Sequence, residues 1–139
     1  MLSPKSSIPF HSSFPELCSK KTMDTRIENY IRQTPTMEWQ SLQEAGIETA
    51  GIYVKALRYD ENGRPPSILL KFEPGAQYPY HNHPSGEEIF VVEGSCIIEG
   101  AKLQSGDYLY TPPGFKHGVR SEEGCILLLI IPAEVEILA

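Results

Sequence analysis

The stretch GAQYPYHNHPSGEEIFVVEG, residues 75–94, decides how this chain is read. Glycine stands at both ends. Between them, Tyr78 to His83 reads as extended chain, Pro84-Ser85-Gly86 as a three-residue turn, and Glu88 to Val92, aromatic and β-branched, as a strand. Residues i and i+2 of a strand share a face, so His81 and His83 aim two imidazoles at one point. Glu87, the first residue after the turn, can bring a carboxylate back to that point. Glu88 is its rival, but strand alternation sends Glu88 to the opposite face.

A third imidazole comes from further along. Ser105-Gly106-Asp107 turns the chain, Tyr108 to Thr111 reads as strand, and Pro112-Pro113-Gly114 makes a rigid corner that re-aims the chain at His117. Three neutral nitrogens and one carboxylate oxygen suit a borderline divalent cation and leave positions open for water or substrate. None of these residues is persuasive alone: imidazole is merely the commonest ligand, and acids are mostly exposed. Their spacing is what carries the reading. Gly75 precedes His81 by five intervening residues, and Glu87 precedes Gly94 by six. Gly106 precedes Pro112 by five, and Gly114 precedes His117 by two. With Gly at about 7% and Pro at about 5% of residues, four glycines and one proline fall in such a frame by chance with odds on the order of 10⁻⁶.

The two frames, G-x5-H-x-H-x3-E-x6-G and G-x5-P-x-G-x2-H, resemble the paired motifs of the cupin superfamily. The resemblance implies an all-β fold, a small double-stranded β-helix or jelly-roll barrel, with His81, His83, Glu87 and His117 as ligands of one metal ion inside it. Fe2+ or Zn2+ is the expected metal, with Mn2+ and Ni2+ also fitting the donor set. The longer second motif often ends in Asn, where this chain has Ser121. Residues 37–132, with Asn82, Pro84, Gly86-Glu87-Glu88, Pro112-Pro113-Gly114 and Ser121-Glu122-Glu123-Gly124-Cys125, further resemble the ChrR-like cupins. That group includes a zinc-binding domain of a bacterial anti-sigma factor and stand-alone dioxygenases acting on diketones or hydroxyketones. Residues 1–36 lack the His/Cys zinc motif of the anti-sigma domain, so sigma binding does not transfer.

The rest of the chain agrees with a barrel. Ile52 to about Tyr59, Ile68 to Phe72, Cys96 to Glu99, His117 to Arg120 and Cys125 to Ile131 read as further strands, with turns at Asn62-Gly63, Glu93-Gly94, Gly100 and Glu122-Glu123-Gly124. No long amphipathic helix competes. Segment 24–33 fits one helical turn or an edge strand equally well. The 139 residues suit a single domain, expected over 23–139 after a flexible Ser- and Pro-rich tail over 1–22.

Charge narrows the partners. Residues 1–22 hold Lys5, Lys20 and Lys21 against Glu16. With a net charge of −6 overall, the remainder carries −8. An acidic domain argues against nucleic acid and against an anionic membrane surface, and no apolar run reaches the length of a membrane-spanning helix. Cys18, Cys96 and Cys125 are odd in number and irregularly spaced, which points to free thiols in a reducing, cytoplasmic setting. The acid-poor residues 1–22 leave organelle targeting open, although no Arg precedes Arg26.

The function expected from the resemblance is a mononuclear metal-dependent oxidoreductase of the small dioxygenase type, acting on a small oxygenated substrate. A non-catalytic metal- or ligand-binding sensor module, or a metal-dependent isomerase or lyase, are the alternatives. Candidate pocket walls are Phe72, Tyr78, Tyr80, Phe90, Tyr110 and Phe115, with Arg120 as an anchor for an anionic group. Cupins often pair through edge strands, so a homodimer is expected, with the region Ile47–Tyr59 contributing.

Overall fold

The computed structural model describes residues 22–138. The chain divides into two compact units, Met1–Arg32 and Gln33–Ala139. Of the tail expected over 1–22, all but Thr22 lies outside the described residues, as do His11 and Cys18. In the first unit, Ile27–Tyr30 forms a 3₁₀ turn, which resolves the ambiguity over 24–33. Asp24 organises it by accepting hydrogen bonds from Arg26 and Asn29.

Strands dominate the second unit: β1 (Gln40–Ser41), β2 (Ile52–Arg58), β3 (Ser67–Phe72), β4 (Gln77–Asn82), β5 (Glu87–Ile98), β6 (Ala101–Gln104), β7 (Tyr108–Thr111), β8 (Lys116–Arg120), β9 (Cys125–Ile130) and β10 (Glu136–Ile137). All pair antiparallel. One sheet runs β1-β2-β3-β9-β5-β7, and the other runs β10-β4-β8-β5-β6. The two face each other as a jelly roll, as the spacing of turns implies. No helix among the described residues is long and apolar enough to cross a membrane.

The turn expected at Glu93-Gly94 is not a turn. β5 continues through it, leaving the first sheet after Gly94 and entering the second at Ser95. Gly94 adopts φ +78°, and its backbone lies so close to β9 that an added Cβ would overlap the Gly124 carbonyl. A glycine here therefore lets one strand crease sharply and serve both sheets. Sequence alone cannot tell such a crease from a hairpin, because both ask for glycine at positive φ.

Alternation places Ile52, Leu70, Phe72, Ile89, Val91, Leu127 and Leu129 in the interior. β9 is apolar on both faces, and its outward Ile126, Leu128 and Ile130 are half-buried. On the outside of β2 and β3, residues 34–39 cover part of the sheet. Lys55 donates to the Thr34 carbonyl at 2.7 Å and lies 4.5 Å from the Trp39 ring centre. Cys96 and Cys125 are free and buried.

Gly94→Ala combines a left-handed backbone with a backbone overlap, and is expected to cost about 3 kcal/mol of stability. Gly75→Ala, at φ +92° with open space around the new Cβ, is expected to cost only about 1 kcal/mol. Urea denaturation of the two variants checks the difference.

Candidate metal centre

Three strands deliver the cluster. β4 carries His81, with His83 just past its end. β5 begins with Glu87, and β8 carries His117, directly opposite His81 in the ladder. A bulge in the β4–β8 pairing between Tyr78 and His81 adjusts the register locally. The intervening turn is held by the Gly86 amide, which donates to the His83 carbonyl at 2.9 Å. The Pro112-Pro113-Gly114 corner is tied to the same carbonyl through the Gly114 amide. One backbone oxygen thus joins the two motif loops that present the histidines.

The four side chains are at most 2% exposed. Each histidine offers a ring nitrogen within 4.8 Å of those of the other two. His81 Nε2 is 2.9 Å from His83 Nε2. Glu87 places Oε2 3.1 Å from His83 Nε2 and Oε1 3.0 Å from His117 Nε2. The second ring nitrogens explain why this arrangement calls for a cation. His81 Nδ1 lies 2.7 Å from the Pro79 carbonyl, and His117 Nδ1 lies 3.2 Å from the Gly118 carbonyl. A carbonyl only accepts, so each Nδ1 carries the hydrogen, and in a neutral ring each Nε2 then presents a lone pair. His83 Nδ1 has no partner, so its tautomer is free to leave Nε2 as an acceptor too. Buried lone pairs and a carboxylate aimed at one another repel unless a positive charge sits among them. Either a second proton on a ring or a metal ion supplies it, and the donor set is of the type that holds Zn2+ or Fe2+.

The titration behaviour follows from the same geometry. Burial above all, with the neighbouring His117 and His83 adding to it, pushes His81 down to about 4. Its ring is therefore neutral at pH 7, as a ligand needs to be. Burial opposes charge on His117 as well, but the hydrogen bond and charge of Glu87 outweigh it and raise its pKa. For Glu87, burial works upward, and the hydrogen bonds that His117 and His83 make to it when their Nε2 atoms carry hydrogen win, holding the carboxyl below its ordinary value.

His81, His83 and Glu87 line a cavity of about 720 Å³, well within the size of small-molecule sites; His117 is not on its wall. Its walls are largely apolar, and Phe72 and Tyr78 are among them. The other aromatic candidates fall elsewhere. Tyr80, Phe90 and Tyr110 are 49%, 42% and 53% exposed, on the outer faces of their strands. Phe115 is 45% exposed, its ring centre 6.4 Å from that of His117, and it does not line the cavity. Arg120 is also outside, paired with Glu122 at 2.7 Å, and so anchors no ligand in the cavity. For Tyr80, Phe90, Tyr110 and Arg120 the physical reason is the period of two: residues on the opposite parity to the histidines or core of the same strand face solvent, whereas Phe115 lies in the corner before β8. Tyr80 and Arg120 instead line a larger hollow of about 870 Å³ on the outer face of the second sheet, which none of the four cluster residues reaches.

Sequence reasoning missed Glu44, Arg64 and Glu134, which line the inner cavity. Tyr78 Oη donates to Glu44 Oε1 at 2.7 Å. Arg64 Nη2 donates to the Ile131 and Pro132 carbonyls, both at 2.8 Å. All three lie outside strands, where no periodicity assigns a direction.

The family model for the ChrR cupin-like domain matches residues 28–131. Among curated proteins, the chain is 35% identical over 65 residues to the DNA damage-repair/toleration protein DRT102 of Arabidopsis thaliana, covering 42% of this chain. It is 31% identical over 62 residues to the dimethylsulfoniopropionate lyase DddQ of Ruegeria pomeroyi, covering 41% of this chain. The matches span only 21% and 31% of those relatives' lengths. Among solved structures, an acetylacetone dioxygenase from Acinetobacter johnsonii superimposes with a TM-score of 0.70 at 16% identity, over 88% of this chain and 83% of that one. At that identity the likeness speaks for the fold.

His81→Ala removes a buried nitrogen donor and is expected to lower metal affinity by at least about a hundredfold. Arg120→Ala, on the outside, should leave it unchanged. Elemental analysis of the purified variants reads both. Protons compete for the same lone pairs, so metal occupancy should fall as pH is lowered.

Proposed function

This chain belongs to the ChrR cupin-like domain family, and on that footing we propose that it is a mononuclear metal-dependent oxidoreductase of the small dioxygenase type. His81, His83, Glu87 and His117 would hold the metal, Fe2+ before Zn2+, and the substrate would be a small oxygenated molecule such as a β-diketone or hydroxyketone. The observation that carries the reading is the convergence of buried acceptor groups, three of which line a largely apolar cavity large enough for such a molecule. The match in fold to an acetylacetone dioxygenase supports the choice of reaction.

When bound, a divalent iron supplies Lewis acidity and the redox chemistry that O2 requires. The protein supplies order around it. The Pro79 and Gly118 carbonyls fix the His81 and His117 rings through their Nδ1 hydrogens, so both Nε2 atoms keep one direction. Phe72, Ile89, Leu127 and Leu129 form an apolar wall beside the cluster, which lowers the local dielectric and strengthens each polar contact there. Glu87 carries two carboxylate oxygens, so one can help hold the metal while the other takes a substrate proton.

A second reading, a metal-dependent lyase, is favoured by the likeness to the dimethylsulfoniopropionate lyase over 62 residues that fall short of half this chain. Both readings use the same buried carboxylate as proton acceptor, and they differ in the need for O2.

Iron-loaded protein given pentane-2,4-dione is expected to consume O2. Stripping the metal should abolish the uptake, and Glu87→Gln should slow it by about a hundredfold. Oxygen-electrode traces check all three. Tightly held zinc with no O2 consumption on any diketone or hydroxyketone would sink the dioxygenase assignment.

A further inference from the structure

Beyond the cluster, the cavity's charged lining is Glu44, Arg64 and Glu134. The single cation among them is already engaged. Arg64 donates to two backbone carbonyls at 2.8 Å and lies 3.6 Å from Asp60. Glu44 is differently placed. It sits in the loop between β1 and β2, and Leu42 and Ile47 on either side pack against the core. Thr49 Oγ1 donates to the Leu42 carbonyl at 2.7 Å, which closes the loop around it. Tyr78 Oη engages Oε1 at 2.7 Å, and among the described residues nothing else bonds to the carboxylate. The Tyr78 ring in turn meets His81 edge-on, with ring centres 4.9 Å apart. A negative charge is thereby fixed on the cavity wall one aromatic ring away from the metal ligands.

We propose that Glu44 is the specificity-determining residue of this cavity: it favours neutral or cationic substrates with a hydrogen-bond donor beside the metal-binding atoms, and rejects those bearing a further carboxylate. The proposal rests on the metal-centre reading above. Its physical content is twofold. A carboxylate oxygen accepts from a substrate hydroxyl, N–H or ammonium group, and it repels an anion in a cavity whose one arginine is committed elsewhere. Discrimination of this kind works through the repulsive element as much as the attractive one. Tyr78 acts through Glu44, as a positioning residue.

The test is calorimetric titration of the zinc-loaded full chain with two chelating probes that share one metal-binding group, acetohydroxamic acid and its carboxylate-bearing analogue succinohydroxamic acid, read as the ratio of their dissociation constants. Glu44→Gln is expected to tighten succinohydroxamic acid by roughly tenfold relative to acetohydroxamic acid, at unchanged zinc content. Tyr78→Phe keeps the ring against His81 but releases the carboxylate, and should move the ratio part of the way. A ratio that stays the same in Glu44→Gln with zinc fully retained overturns the proposal. Wild-type protein that retains no zinc or iron would overturn the metal-centre reading itself, and elemental analysis reports that separately.

Discussion

Four buried acceptors that repel one another are the constraint around which this molecule is organised. Taking a carboxylate and three imidazoles out of water is unfavourable by several kcal/mol unless charge compensates it. Here the two nearest backbone carbonyls make matters worse for an empty cluster by claiming the Nδ1 hydrogens of His81 and His117. The same bonds make the cluster suitable for a cation, because they orient the free lone pairs. A core evolved for stability alone would be filled with apolar side chains, as the region around Val91 and Leu127 is.

Much of this was legible beforehand, for a definite reason. Ligand positions are tied to turns, and turns need particular residues: glycine where φ is positive, proline where a corner is stiff. Gly75, Gly106 and Gly114 adopt φ between +88° and +92°, and their spacing therefore marks where the chain reverses. Strand existence was readable on the same grounds. What escaped was direction. Tyr80, Phe90 and Tyr110 have the composition of pocket residues, yet parity turns them outward, and parity is reset by bulges such as the one between Tyr78 and His81. Glu44 and Arg64 were invisible for another reason: they lie in loops, where nothing periodic relates a residue to the interior. β10, two residues long, pairs with the histidine-bearing strand through a register that only the closed barrel reveals.

The fold and the site stand in an instructive relation. The apolar interior extends from the core into the walls of the cavity without a break, so Phe72, Ile89 and Leu127 serve packing and enclosure at once. Of the candidate metal-binding cluster, His81, His83 and Glu87 reach those walls. The rest of the cavity is distinguished by a few charged groups on loops, which can vary without disturbing the ladders.

The creased strand β5 has a mechanical consequence. Because one covalent chain belongs to both sheets, the two halves are bound like pages along a spine and cannot slide apart there. The β3–β4, β8–β9 and β9–β10 connections cross from one sheet to the other as well. The bond from Tyr78, on β4, to Glu44, beyond β1, adds a side-chain clasp between the two leaves. Their separation is thus stitched at several points along the chain rather than left to packing alone.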